Sequence, residues 1–127
     1  MKLTAEPQLF VTDMQAALQH YTDSLGFTVA FVWGEPAFYA QVVRDGAKLN
    51  LRHVDGPVFS EALRRAEGEV LSATVATDDI KGLYAEIADM GIAFHQPLRT
   101  EAWGARTFIV ADPSGNLILF AGSDEAA

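Results

Sequence analysis

The chain has no cysteine, so a disulfide, a thiolate ligand and a sulfur nucleophile are all excluded. No apolar run approaches the ~20 residues that a membrane-spanning helix needs. The opening residues Met1–Pro7 lack the apolar core of a signal peptide, so a cytoplasmic protein is expected. Histidine is scarce too. His20, His53 and His95 stand far apart, with none of the short spacings that bring two imidazoles onto one metal. A Gly-x-Ser-x-Gly elbow and a glycine-rich phosphate loop are both absent, which removes two large classes of enzyme. Positive charge is the last shortage: nine Lys and Arg face 17 Asp and Glu, a net charge of −8. That field repels a phosphate backbone, so no nucleic-acid partner is expected. It would attract a cationic small molecule, and it serves solubility equally well.

What is present is a repeat. With 127 residues, half of them apolar, the chain can bury one core. Thr12-Asp13 opens a run with Met14, Ala17, Leu18, Tyr21 and Leu25 at helical spacing, closed by Gly26. Thr77-Asp78 opens a second with Ile80, Leu83, Tyr84, Ile87 and Met90, closed by Gly91. Each has a capping side chain at its start and a glycine suited to the left-handed conformation at its end. Thr12 to Thr77, Leu18 to Leu83 and Gly26 to Gly91 share one offset of 65, the mark of two fused halves. A short strand precedes each helix, 8–11 and 71–75. Three follow it: 28–33, 37–44 and 47–53 in the first half, 93–98, 106–111 and 116–121 in the second. Asp45-Gly46 predicts a hairpin turn, and Asp112-Pro113-Ser114-Gly115 a type I turn. Residues 61–67, after Ser60, predict a helical turn in the linker. The fold class is therefore α+β, a single domain over 1–122 built of two βαβββ modules at about 5–57 and 69–122, with a tail at 123–127.

Strand side chains alternate faces. Leu9 and Val11, Leu49 and Leu51, Leu71, Ala73 and Val75, Ile118 and Phe120 want the side that packs on helices. The opposite side carries Glu6, Gln8 and Phe10, then Lys48, Asn50 and Arg52, then Ser72 and Thr74, then Leu117 and Leu119. So mixed a face suits a wetted cavity, and it suits a solvated sheet surface as well. His20 falls off the helix stripe and is expected to be exposed. His53 shares parity with Leu51, which turns it from the mixed face.

Three stretches are similar to a known family. They are 10–27 (FVTDMQAALQHYTDSLGF), 42–51 (VVRDGAKLNL) and 103–120 (WGARTFIVADPSGNLILF). They resemble the glyoxalase/bleomycin-resistance/dioxygenase superfamily, and the last resembles its bleomycin-resistance branch. The resemblance implies a cup-shaped mixed sheet with helices on the convex side. In metal-dependent members one ligand on each of four strands points into the cup, and those positions fall here on Glu6, Asn50, Ser72 and Leu119. Only Glu6 is a good ligand for a divalent transition metal, so no metal, no cofactor and no catalytic residue are expected. The ligand-binding set implied is Glu6, Trp33, Phe38, Tyr39, Asn50, Arg52, Ser72, Trp103, Arg106 and Leu119. Trp33, Phe38, Tyr39 and Trp103 are expected to gather at the cavity mouth, where aromatic faces stack on planar ligands and attract cations. Packing at a dimer interface is the other use for such rings. Arg52, with Lys48, would instead favour a carboxylate or phosphate. The function implied is sequestration of a small ligand, such as a cationic planar-ring antibiotic, by a homodimer. The alternative is a metal-dependent lyase, isomerase or dioxygenase with an atypical site.

Overall fold

The computed structural model describes residues 1–123. Gln8–Val11 (β1) leads into helix α1 at Met14–Gln19, followed by strands Thr28–Trp33 (β2), Tyr39–Arg44 (β3) and Ala47–His53 (β4). Helix α2, Glu61–Glu67, lies in the linker. The second module runs Leu71–Ala76 (β5), helix α3 at Ile80–Asp89, Gln96–Thr100 (β6), Ala105–Ala111 (β7) and Leu117–Ser123 (β8). Each module is one four-stranded sheet, in the orders β1-β4-β3-β2 and β5-β8-β7-β6. In each, the first strand joins the last in parallel and the other pairs are antiparallel. The apolar set identified by alternation forms one core shared by both modules, from Leu9, Val11, Leu49 and Leu51 to Ile118 and Phe120, except Leu71, which stands before the β5 bulge and is exposed.

Five sequence-based expectations need correction. Asp79, not Asp78, caps α3: its carboxylate accepts the Gly82 N–H at 3.0 Å, while Thr77 Oγ1 accepts from Asp79 N. The first helix keeps Asp13 as its cap. It therefore holds one residue more than α3 before the closing glycine, and it absorbs the extra residue in a π-helical turn over His20–Ser24. The offset is accordingly 66 between Tyr21 and Ile87, both fully buried, and 65 only beyond the π turn, at Gly26 and Gly91. That turn also changes the place of His20, whose Nε2 is buried without a partner rather than exposed. Strand β6 starts three residues later than expected, and β3 two. Ser123, assigned to the tail, is the last residue of β8 and pairs with Ala105. The rest of that tail lies outside the described residues.

Two seams join the modules. In the first, Tyr21 Oη on the π turn donates to Asp112 Oδ2 at 2.8 Å. Asp112 also accepts the backbone N–H groups of Ser114 and Asn116 and the Asn116 side-chain amide. The Asn116 amide reaches Phe10 O at 2.8 Å, and Ser114 Oγ accepts from Thr12 N at 2.9 Å. Arg64 of α2 closes the outside by donating to Gly115 O. In the second seam, Arg44 at the end of β3 bridges Glu86 on α3 at 2.8 Å and donates to Leu25 O.

Candidate functional site

The side of the first sheet that faces away from the helices is built in rows. Register places Phe10, Arg52, Tyr39 and Trp33 side by side, then Gln8, Asn50, Gln41 and Phe31. Tyr39 and Phe31 stack, with ring centroids 6.0 Å apart at 30°. Trp33, at the end of β2, is 65% exposed. A bulge between Val29 and Phe31 makes this arrangement possible. The extra residue reverses the alternation of β2 and brings Phe31 onto the same side as Tyr39 and Gln41.

Beside the rings lies a polar cluster. Gln41 Nε2 donates to Glu6 Oε1 at 3.0 Å and to Asn50 Oδ1 at 2.9 Å, and Asn50 Nδ2 reaches Glu6 Oε1 at 3.3 Å. Gln8 and Tyr39 exchange a hydrogen bond of about 3 Å. Side-chain amides thus pin one oxygen of the Glu6 carboxylate and leave the group accessible. The surface offers flat apolar rings, amide donors and acceptors, one fixed anion and, on the aromatic row, the exposed cation of Arg52.

On the second sheet the same side is different in kind. Thr74, Leu119, Ile109 and Gln96 lie in one row. Gln96 donates to Thr107, whose hydroxyl donates to Glu101 at 2.8 Å, and Glu101 also pairs with Arg99. Hydrogen bonds from Arg99 and Thr107 hold the Glu101 carboxyl below its ordinary value. No aromatic ring stands in this row.

Of the residues singled out from the sequence, Glu6, Trp33, Tyr39, Asn50 and Arg52 come together on the first sheet. The other five do not join them. Phe38 precedes β3 and lies over Gly34. Ser72 is the extra residue of a bulge between Leu71 and Ala73, and its hydroxyl donates to Asn116 Oδ1 at 2.7 Å. Leu119 sits on the second sheet beside Thr74. Arg106 pairs with Gly122 and alternates with Thr107, so it shares the helix side with Phe108. Trp103 occupies the β6–β7 loop near Ala76, Thr77 and Gly122, so the expected gathering of four rings is instead a pair of groups. Sequence reasoning missed Phe31 and Gln41. Gln41 was within reach of it, since alternation from Val42 places it beside Asn50. Phe31 was too, since it lies two residues before Trp33 with the pairing unbroken between them.

The quartet Glu6, Asn50, Ser72 and Leu119 does not fit a transition metal. Glu6 is its one charged donor, Asn50 and Ser72 are spent on protein partners, and Leu119 has nothing to give. Among the described residues no three His, Asp or Glu side chains converge.

The pattern of the Glyoxalase/Bleomycin resistance protein/Dioxygenase superfamily matches residues 4–120. The chain belongs to that superfamily. A bleomycin resistance protein of Geobacillus stearothermophilus is 31% identical over 93% of this chain and 95% of its own length. Among solved structures, a bleomycin resistance determinant encoded on the transposon Tn5 aligns with a TM-score of 0.77 at 19% identity, covering 97% of this chain and 99% of that one. The bleomycin-binding protein of Streptomyces verticillus, solved with copper(II)-bleomycin, aligns at 0.74 and 22% identity over 98% of both chains. These structural likenesses establish the superfamily fold, two βαβββ modules with their sheets and helices in common.

Proposed function

We propose that this superfamily member is a ligand-sequestering protein of the bleomycin-resistance type. It holds a cationic, planar-ring molecule against the first sheet. The observation that carries this reading is the exposed aromatic row, with Phe31 stacked on Tyr39 and Trp33 paired beside them. Aromatic faces are flat, rigid and attractive to both planar rings and cations. The relatives named bleomycin resistance proteins and the net charge of −8 support the choice of ligand.

A homodimer completes the proposal. Every residue of β2 is exposed, including Val29 and Val32 on one side and Phe31 and Trp33 on the other. A free edge strand of that composition gains by being covered. A second copy laid over it would turn the open aromatic row into a walled groove. Light scattering behind size exclusion at micromolar concentration should give twice the chain mass; a monomer there would remove the dimer. Calorimetric titration with a bleomycin should give a dissociation constant below about 100 μM, or about −5.5 kcal/mol. Trp33→Ala should weaken it about tenfold, the worth of one aromatic contact. Weaker binding than that by the unmodified protein sinks the ligand assignment and leaves the fold untouched.

A further inference from the structure

The second seam between the modules encloses a crevice of about 840 Å³, within the usual range for a small-molecule site. It meets the aromatic-row side of the first sheet at Glu6 and runs from there toward the helices. None of Gln8, Phe10, Trp33, Tyr39 or Asn50 lines it. Its floor is apolar and drawn from both modules: Leu25, Phe27 and Leu49 from the first, Val75, Leu83 and Phe120 from the second. Its charged lining is four carboxylates, Glu6, Asp45, Asp79 and Glu86, against two cations, Arg44 and Lys48.

The crevice is held open by a built strut. Both guanidinium Nη atoms of Arg44 are held, Nη2 by Glu86 at 2.8 Å and Nη1 by Leu25 O at 2.8 Å. Its guanidinium packs so closely over Gly26 that a Cβ there would stand 2.6 Å from it. Gly26 is therefore needed both for its φ of +74° and for this approach. The related position in the first seam is filled by the five-residue turn Asp112–Asn116, whereas the two-residue turn Asp45-Gly46 leaves the space empty. Trp103, 76% exposed, stands over a shallow depression that shares Ala76 and Thr77 with the crevice.

We propose that this crevice is a second ligand site, distinct from the aromatic row, for a small organic cation with an apolar body. The body lies on the Leu25–Leu83 floor and the cationic head meets the surplus carboxylates at the rim. The anionic surplus selects the sign of the head, and the apolar floor selects the body.

Three probes with one body and different heads test it: 4-phenylbutylamine, 4-phenylbutanol and 4-phenylbutyrate. Each is titrated into the full chain while backbone amide shifts are followed by NMR. The amine should bind tightest, with a dissociation constant on the order of 1 mM. Its shifts should centre on Gly46, Gly82 and Leu83. The surface double variant Asp45→Asn, Glu86→Gln should weaken the amine about fivefold and leave the alcohol unchanged. Trp33→Ala should leave the amine unchanged, and the double variant should leave bleomycin unchanged. Failure at the aromatic row and failure here thus register separately. Equal binding of the three probes overturns the site, as do shifts centred on Gln41 and Asn50 or no saturable shifts at all.

Discussion

The two seams occupy related positions in the duplicated chain, yet opposite chemistry holds them. Tyr21 on the π turn meets Asp112 at the β7–β8 turn; Glu86 on α3 meets Arg44 at the end of β3. The first contact is dry. Tyr21 is fully buried, Asp112 nearly so, and every oxygen of the Asp112 carboxylate has a donor. The second is wet, a pair whose Glu86 side chain is half exposed, spanning a crevice. Buried hydrogen-bond networks lock geometry and cost heavily when broken, whereas exposed ion pairs contribute little. One seam is therefore a weld and the other a mouth. The two halves of the duplicated fold thus differ at their seams in turn length and in the side chains that meet there.

The sharpest way to break this contrast is Asp112→Ala. It leaves the Tyr21 hydroxyl and two backbone N–H groups without their acceptor in a buried setting and removes one of the two acceptors of the Asn116 amide. Such groups cost about 1–3 kcal/mol each and are not additive, so a loss of about 3–4 kcal/mol in urea unfolding is expected. A loss under about 1 kcal/mol would mean the first seam is no weld.

Much of this was legible beforehand. The repeated helix, the closing glycines and the Asp-Pro-Ser-Gly turn each follow from a local physical preference, and the structure has all of them. Gly115 N duly donates to Asp112 O at 3.0 Å across that turn. What escaped are places where one residue is inserted into a regular element. The π turn at His20–Ser24, the bulge before Phe31 and the bulge at Ser72 each shift every later side chain by one step. Alternation is blind to them, because a composition such as Val29-Ala30-Phe31 carries no mark of where pairing will slip. The candidate site suffered accordingly where Ser72 turned to Asn116. Arg106 is a different failure, since alternation from Phe108 does place it on the helix side. The family motif outweighed parity there.

Tyr21→Phe probes the same seam more gently. The ring still fills its place and Asp112 Oδ2 keeps its bond from Asn116, so about 1–1.5 kcal/mol should be lost. Burial, reinforced by Asp112, raises the Tyr21 phenol well above its ordinary value. The folded protein therefore keeps a proton that the unfolded chain releases above about pH 10, and stability should fall as pH rises past that point. Tyr21→Phe should flatten this alkaline limb in denaturation midpoints measured from pH 8 to 11.

His20 extends the contrast to acid. Burial lowers its imidazole below the ordinary value, against the pull of Asp112. The unfolded chain thus takes up the proton first as pH falls through about 6.5, and stability should decline below that value. His20→Gln should show a shallower decline between pH 6.5 and 5 in the same measurement. An unchanged slope would place the acid sensitivity elsewhere.

The smallest effect belongs to the open seam. Glu86→Gln removes the charge of the Arg44 pair but leaves Arg44 bonded to Leu25 O over Gly26. An exposed pair of this kind contributes about 0.2–1 kcal/mol, and salt screens it. The variant should therefore unfold within about 1 kcal/mol of the unmodified chain, with the difference shrinking between 0.05 and 0.5 M salt, whereas the cost of Tyr21→Phe should hold constant over that range. A salt-independent loss as large as that of Tyr21→Phe would make the two seams energetically alike. The crevice would then be a packing defect within a second weld rather than an entrance.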